Sequence, residues 1–222
     1  MDQEQHELIR RIASVVGHEL RNPLAVINNS AYFVKTKLGA SAGRDQKVEK
    51  HLGIIASEIA RADRLIADML RFSRPLEVKL APAGLGAAVE TALQDCSVPD
   101  GVKIKREKPK SEVMVQADAA ALAEAVRRVL DNAVEAAGAG GTVTISWGAR
   151  GHDAFIEIRD SGAGIKPEDL ARVLHPFFTT KPRGLGLGLA MAEKIAMAHG
   201  GHVEAKNIPG GGAALTVTLP KA

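Results

Sequence analysis

Two apolar series with a helical period fill the first 75 residues, and they constrain the fold more than any other feature. The first series advances in steps of four and three, and its members are Leu8, Ile12, Val16, Leu20, Leu24, Ile27, Ala31, Val34 and Leu38. The second series alternates steps of four and three, and it consists of Val48, Leu52, Ile55, Ile59, Ala62, Ile66 and Met69. Because such spacing places all members of a series on one helix face, we predict two long helices.

A short break and a proline set the limits of this helical region. Residues 39–45 (GASAGRD) separate the two series, and Pro75 is expected to end the second helix. A hairpin of two such helices cannot bury both apolar stripes by itself. Pairing two copies into a four-helix bundle would bury them, so we predict a homodimer through residues 1–75.

The pattern changes in residues 76–222, where short alternating stretches mix with helical ones. The predicted strands are LEVKL (76–80), VKIKRE (102–107), EVMVQAD (112–118), GTVTISWGA (141–149), DAFIEIRD (153–160), GHVEAKN (201–207) and AALTVTLP (213–220). The predicted helices cover residues 84–94, residues 119–137 behind the capping residue Asp118, and residues 187–199. This order predicts an α/β sandwich, a mixed sheet with helices on one face.

Composition and charge argue against several classes of protein. The net charge is +3 and aromatic residues make up 3% of the chain, so we predict no nucleic-acid binding. The basic run KIKREKPK (103–110) is interpreted as a solvated strand face rather than a phosphate site. Cys96 is the single cysteine, which favours a reducing cytoplasmic location without disulfides. No apolar run reaches the roughly 18 residues of a membrane span. We expect no membrane contact by this segment, and any tether or sensor part would lie outside this chain.

The strip HELRNPL (18–24) interrupts the first helix with unusual chemistry. His18 lies about 200° from its apolar neighbours at positions 16 and 20, so it is expected on the exposed face together with Asn22. Pro23 inside a helix costs roughly 3 kcal/mol, which suggests a role beyond packing. A neutral imidazole is a nucleophile, and the carboxylate of Glu19 could keep one ring nitrogen protonated. The alternative is an ordinary surface histidine.

Two stretches of the second half offer groups suited to a nucleotide. Asn132 in RRVLDNAVEA presents a hard oxygen suited to Mg²⁺, although an ordinary helix-surface asparagine is the alternative. In DSGAGI (160–165), Gly162 and Gly164 allow a tight turn, and Asp160 could accept a hydrogen bond from an exocyclic amine. An ordinary Asp-Ser-Gly turn is the alternative there.

A third stretch has alternating glycines directly before a helix. Gly184, Gly186 and Gly188 would expose backbone N–H groups to phosphates, and Lys181 and Arg183 add positive charge nearby. No strand leads directly into these glycines, so the pattern does not match a dinucleotide-binding βαβ unit.

Five motifs in this order resemble those of the two-component sensor histidine kinases. HELRNPL resembles the phosphoacceptor helix, LDNAVEA the asparagine box, DSGAGI the first glycine box, PFFTTK the phenylalanine box and GLGLGL the second glycine box. The resemblance covers nearly the whole chain. It implies a dimerisation and histidine phosphotransfer domain in residues 1–75, and a catalytic ATP-binding domain with the Bergerat fold in residues 76–222.

The resemblance also implies roles for individual residues. His18 would accept the γ-phosphoryl group of ATP, Glu19 would orient or deprotonate it, and Asn22 would position a water for dephosphorylation of the partner. Asn132 would be the Mg²⁺ ligand, and the lid would lie between Ile165 and Gly184. The implied nucleotide-binding residues are Asn132, Asp160, Gly162, Gly164, Ile165, Thr180, Lys181, Gly184, Leu185, Gly186, Leu187 and Gly188. The implied partner is the receiver domain of a response regulator.

Two positions depart from the family pattern, and two other functions remain open. Arg128 stands where relatives often have asparagine, and Ala213 stands where they often have threonine. Arg128 could reach a phosphate or lie on the surface. An ATPase of the gyrase or chaperone type would need a glutamate at position 128, which argues against it. A scaffold that docks a regulator without transferring phosphate is the other alternative.

Overall fold

A computed structural model describes residues 21, 24–29, 31–32, 34–36, 46–181 and 185–221, apart from the side chains of residues 46–51. The chain divides into two compact units, Met1–Pro75 and Leu76–Ala222. His18, Glu19, Asn22 and Gly184 lie outside the described residues.

The first unit contains helical segments in the two predicted regions. The described residues between positions 21 and 36 are helical and form α1, and α2 spans Gln46–Ser73. Leu52, Ile59 and Ile66 of the second apolar series are buried, whereas Ile55 is 40% exposed. One stripe of α2 is therefore packed within the chain, and a neighbouring apolar strip is left uncovered.

The second unit is built on a mixed sheet, as predicted. Its strands are β1 (Ala81–Gly84), β2 (Lys103–Glu107), β3 (Met114–Ala117), β4 (Thr142–Arg150), β5 (Asp153–Asp160), β6 (His202–Asn207) and β7 (Ala213–Pro220). Five of them form a sheet in the order β2-β4-β5-β7-β6, in which only β2 and β4 are parallel. Strands β1 and β3 form a separate antiparallel pair.

Three helices pack against this sheet. They are α3 (Leu85–Asp95), α4 (Ala119–Ala137) and α5 (Gly188–Ala198), and α4 packs against the other two as well as against β4 and β5. Asp118 caps α4 as predicted, since its Oδ1 accepts hydrogen bonds from the backbone N–H groups of Ala120 and Ala121, each at 3.1 Å. The hydrogen bonds from Ala121 and Lys79 lower the pKa of the Asp118 carboxyl group. The predicted α/β sandwich is confirmed.

The predicted strand at residues 76–80 is wrong. That stretch has no regular structure, and β1 occupies the next four residues, Ala81–Gly84, which include Pro82. The reason is the partner: β3 pairs with residues 81–84, and the backbone N–H of Lys79 is instead bonded to Asp118 Oδ2 at 3.2 Å. A proline is compatible with a strand that has a neighbour on one side only.

Glu157 of β5 is a buried carboxylate, since its side chain is 2% exposed. Its Oε1 accepts a hydrogen bond from Arg159 Nε at 2.7 Å, and its Oε2 lies 3.4 Å from Lys206 Nζ. Burial alone would raise the pKa of this carboxyl group, but the hydrogen bond and charge of Arg159, together with Lys206, outweigh burial and lower it. The charged form of Glu157 therefore stabilises the folded unit.

Replacement of Glu157 by Gln is expected to lower the free energy of unfolding of the second unit by about 1–3 kcal/mol near neutral pH, the usual contribution of hydrogen bonds to charged groups. Because the folded pKa is lowered, this contribution is complete above the unfolded pKa of about 4.3 and is lost as pH falls through the folded value. The difference between variant and wild type should therefore shrink at about pH 3. Urea unfolding followed by the fluorescence of Trp147, the single tryptophan, measures it.

Glu204→Gln is the matched control for this prediction. Glu204 lies on β6 of the same sheet, with β7 between it and β5, but its side chain is 71% exposed and its ion pair with His202 spans 3.8 Å. The control should change the free energy of unfolding by no more than about 0.5 kcal/mol, as is usual for surface positions. A Glu157→Gln difference that stays constant between neutral and acidic pH would show that the charge of Glu157 is not the cause.

Candidate functional site

The carboxylate of Asp160 is fixed at the end of β5, where the strand leaves the sheet. Asp160 is 5% exposed, and its Oδ1 accepts hydrogen bonds from the backbone N–H of Gly162 at 2.8 Å and of Ala213 at 3.4 Å. Ser161 is tied to β4 by its N–H, which donates to Thr142 O at 3.0 Å. The DSGAGI turn therefore starts at the end of the central strand of the sheet, where the Asp160 carboxylate is held in place as a hydrogen-bond acceptor.

Two glycines let three backbone segments meet at this carboxylate. A Cβ on Gly162 would overlap the carbonyl oxygen of Ala136 at the end of α4, and a Cβ on Gly212 would overlap the carbonyl oxygen of Asp160. Gly212 also has a φ of +86°, which disfavours other residues. The end of α4, the DSGAGI turn and the glycine-rich β6–β7 connection thus form one closely packed wall of the site.

The far end of the same turn is held by β6. Asn207 Oδ1 accepts from the backbone N–H of Ile165 at 2.7 Å, and Asn207 Nδ2 donates to Ile165 O at 2.6 Å. Gly164 precedes this contact with a φ of +78°. Among the sequence-predicted residues, Asp160, Gly162, Gly164 and Ile165 are therefore brought together in one defined turn.

Asn132 projects from α4, and its side-chain oxygen accepts a hydrogen bond from a positively charged group. Lys181 Nζ lies 2.9 Å from Asn132 Oδ1 and 2.7 Å from Glu135 Oε2, one helical turn further along. The two oxygens share one ammonium group, so they can bind positive charge, and a metal ion could take the place of the ammonium. Mg²⁺ usually takes one or two protein oxygens and completes its shell with phosphate and water. The residues present therefore fit the magnesium ion that the resemblance implies.

The described part of the second glycine box, from Leu185 onward, leads into α5. Phe177 N–H donates to Gly186 O at 3.0 Å, and Gly186 has a φ of +67° with no room for a side chain beside the Phe178 carbonyl. Leu187 is 3% exposed and is followed by Gly188, the first residue of α5. Leu185 is half-buried and Thr180 is exposed. The phenylalanine and glycine boxes thus meet, and their backbone leads into a helix N-terminus suited to phosphate.

Arg128 lies one helical turn before Asn132 but does not sit on the surface. Its side chain is 13% exposed, and its Nη2 lies 3.3 Å from Oε1 of Glu124, whose side chain is 9% exposed. The surface position considered from the sequence is therefore wrong. Glu124 draws the guanidinium along α4 because the two residues are four apart on one face of the helix.

Sequence reasoning missed three residues that shape this site. They are Glu135, which binds the Lys181 ammonium, Asn207, which holds Ile165, and Gly212, which packs on Asp160. Only Gly212 had a usable signal, since three successive glycines at 210–212 predict a turn with unusual backbone angles.

Among the described residues, no helix is long and apolar enough to cross a membrane.

Two protein families match separate parts of the chain. The family described as "His Kinase A (phospho-acceptor) domain" matches residues 8–77. The family described as "Histidine kinase-, DNA gyrase B-, and HSP90-like ATPase" matches residues 117–222. The first range contains His18, and the second contains Asn132, Asp160 and both glycine boxes.

Curated relatives resemble the chain over nearly its whole length. Sensor histidine kinase ZraS of Salmonella typhi is 31% identical over 214 residues, which cover 94% of this chain and 45% of ZraS. Signal transduction histidine-protein kinase AtoS of Escherichia coli is 32% identical over 209 residues, which cover 92% of this chain and 34% of AtoS. The chain therefore spans less than half the length of these relatives.

Solved structures share the fold. Full-length ShkA in complex with AMPPNP matches with a TM-score of 0.75 and 24% identity, covering 96% of this chain and 46% of ShkA. Histidine kinase ThkA in complex with the response regulator protein TrrA matches with a TM-score of 0.72 and 22% identity, covering 99% of this chain and 64% of that chain. The two family matches and the curated relatives, together with the motifs, lead to one assignment: the chain belongs to the two-component sensor histidine kinases and carries their phospho-acceptor and ATPase domains in that order.

Proposed function

We propose that the chain is an ATP-dependent protein-histidine kinase that phosphorylates His18 and passes the phosphoryl group to an aspartate of a response regulator. Residues 1–75 would serve dimerisation and phosphotransfer, and residues 76–222 would bind ATP. The observation that carries the proposal is that one chain holds both parts. His18 lies in HELRNPL within the phospho-acceptor match, and the ATPase match contains both the fixed Asp160 carboxylate and Asn132, whose Oδ1 accepts from the Lys181 ammonium.

In this proposal the second unit binds ATP through groups that it holds in advance. Asp160 accepts the exocyclic amine of adenine, because Gly162 N–H fixes one of its oxygens at 2.8 Å. The backbone N–H groups of the loop before α5 face the phosphates, and the Lys181 ammonium moves from Asn132 to phosphate oxygens. Asn132 Oδ1 is thereby freed to hold Mg²⁺, which, when bound, neutralises charge on the phosphates.

The transfer step needs a positioned imidazole more than a strong base. A ring nitrogen of His18 forms a bond to the γ-phosphorus while the bond from phosphorus to the bridging oxygen breaks, and ADP leaves with that electron pair. Glu19 accepts the proton from the other ring nitrogen, so the phosphohistidine is left uncharged on its ring. Because the reaction is mostly a matter of alignment, the ATP-binding unit must bring the γ-phosphate in line with His18.

The partners follow from the same chemistry. The structure of ThkA bound to a response regulator supports a receiver domain as the acceptor of the phosphoryl group. Asn22 would position a water that hydrolyses the aspartyl phosphate of that domain and releases inorganic phosphate. The exposed side chains of Ile54 and Ile55 in α2 support a homodimer in which a second copy covers them. A solution mass equal to that of one chain would contradict the dimer. Because the proposed reaction consumes ATP, we propose a cytoplasmic location for the kinase core.

The test is incubation of the chain with γ-labelled ATP and Mg²⁺, followed by acid and alkali treatment of the protein. The proposal requires a label that is lost in acid and retained in alkali, as expected for a phosphorus–nitrogen bond to histidine. A purified cognate receiver domain should then remove the label from the chain and become labelled itself. Steady ATP hydrolysis without labelled protein would favour an ATPase of the gyrase or chaperone type.

A further inference from the structure

The side chain of Asn207 contacts a single backbone unit in the way that a neighbouring strand would. Its Oδ1 accepts from Ile165 N–H at 2.7 Å, and its Nδ2 donates to Ile165 O at 2.6 Å, across 42 residues of sequence. Reciprocal N–H and C=O bonds of this kind join residues of paired antiparallel strands. The side-chain amide of Asn207 therefore joins β6 to Ile165, which is not part of a strand, through the same pair of hydrogen bonds.

The contact also limits the backbone directly before Ile165. A Cβ on Gly164 would lie 2.9 Å from Asn207 Oδ1 and 3.2 Å from Gly212 O. Gly164 has a φ of +78°, so both its conformation and its surroundings exclude a side chain. The DSGAGI turn is thus pressed against Asn207 and against the β6–β7 connection at its far end.

The two ends of the turn are held by different means. At the near end, Asp160 is paired with Val143 in the sheet, and its carboxylate accepts from Gly162 N–H. At the far end, Ile165 lies outside the strands, and its N–H and C=O are both bonded to Asn207. We propose that Asn207 is a positioning residue that fixes the lid-proximal end of this turn and thereby sets the geometry of the adenine side of the site. The clamp is a property of the fold, and its effect on nucleotide binding rests on the proposed function.

The clamp can be removed without removing the strand that carries it. Asn207 is paired through its backbone with Ala213 of β7, and these bonds do not involve the side chain. A neutral hydrogen bond changes an equilibrium by about two- to tenfold, so the loss of both predicts a measurable loosening of the turn and weaker binding at the site that it shapes. Both bonds are exposed, so water can replace them and the effect on folding should be small.

The first experiment compares wild type and Asn207→Ala as full chains. We expect ADP, measured by titration calorimetry, to bind about tenfold more weakly to the variant. In nucleotide-free protein, backbone hydrogen exchange at Ile165 should be faster by a similar factor, while the melting temperature should change by less than about 4 °C. Asn207→Asp has the same size but lacks the donor to Ile165 O, so it should also weaken ADP binding.

Glu204→Ala is the control, because Glu204 lies on the same strand with an exposed side chain directed to His202. It should leave ADP binding and exchange at Ile165 at the wild-type values. Wild-type ADP affinity in Asn207→Ala or in Asn207→Asp would overturn the proposal, and so would unchanged exchange at Ile165. If the wild type itself bound no ADP, the proposed function would fail, and the exchange measurement would still decide whether the clamp exists.

Discussion

His18→Gln is expected to carry no phosphoryl label after incubation with γ-labelled ATP and Mg²⁺, while it binds ATP as tightly as the wild type. The amide of glutamine has no basic ring nitrogen, so it cannot form the phosphorus–nitrogen bond that the reaction requires. The groups proposed to bind ATP all lie in the second unit, Leu76–Ala222, so their hydrogen bonds do not depend on residue 18. Labelling and equilibrium ATP binding, measured on the same preparation, separate the two effects.

His152→Gln is the matched control, since His152 is an exposed histidine in the turn between β4 and β5. It should be labelled like the wild type. An acid-labile label that persisted in His18→Gln would show that another histidine is the acceptor. ATP binding without any label in the wild type would move the assignment to a scaffold that docks a regulator.

The sequence predicted best those elements whose side-chain period matches their burial. Residues 153–160 were predicted as a strand and form β5, in which Ile156 and Ile158 are buried on the helix-covered face while Arg159 is exposed. The start of α4 was predicted because a cap is a local contact: Asp118 bonds to residues two and three positions ahead. Period and capping act within a few residues, so they can be recognised in a single sequence.

Contacts between distant residues could not be predicted in this way. Lys181 meets Asn132 across 49 residues, and Asn207 meets Ile165 across 42. Both contacts depend on which strands and helices become neighbours. The prediction of a strand at residues 76–80 failed for a similar reason. The alternation of apolar and polar residues there does not indicate which backbone is available for pairing, and β3 pairs with residues 81–84 instead. The motifs indicated which residues belong to the site, whereas the tertiary contacts determine what holds them there.

Gly162→Ala is expected to weaken ADP binding by about tenfold to a hundredfold, the effect of losing a hydrogen bond to a charged group. The added Cβ would overlap the Ala136 carbonyl oxygen and would lie 2.9 Å from Asp160 Oδ1. Both obstacles belong to rigid elements, the end of α4 and the end of β5, so the turn itself must move. Asp160 would then lose the hydrogen bond from the residue-162 N–H, and its carboxylate would no longer be held for the adenine amine.

The same variant shows whether contacts with α4 fix the position of the DSGAGI turn or whether the turn can adjust to a side chain at position 162. Folding must be measured separately. Crowding of this kind costs about 1–3 kcal/mol of folding free energy, which Trp147 fluorescence can report during urea unfolding. Gly53→Ala is the control, because nothing lies within 4 Å of the added carbon in α2, and it should leave ADP affinity unchanged. If Gly162→Ala bound ADP like the wild type, the turn would have room to adjust. The close approach of α4 to DSGAGI would then not determine where Asp160 lies, and nucleotide recognition would have to rest on the loop before α5.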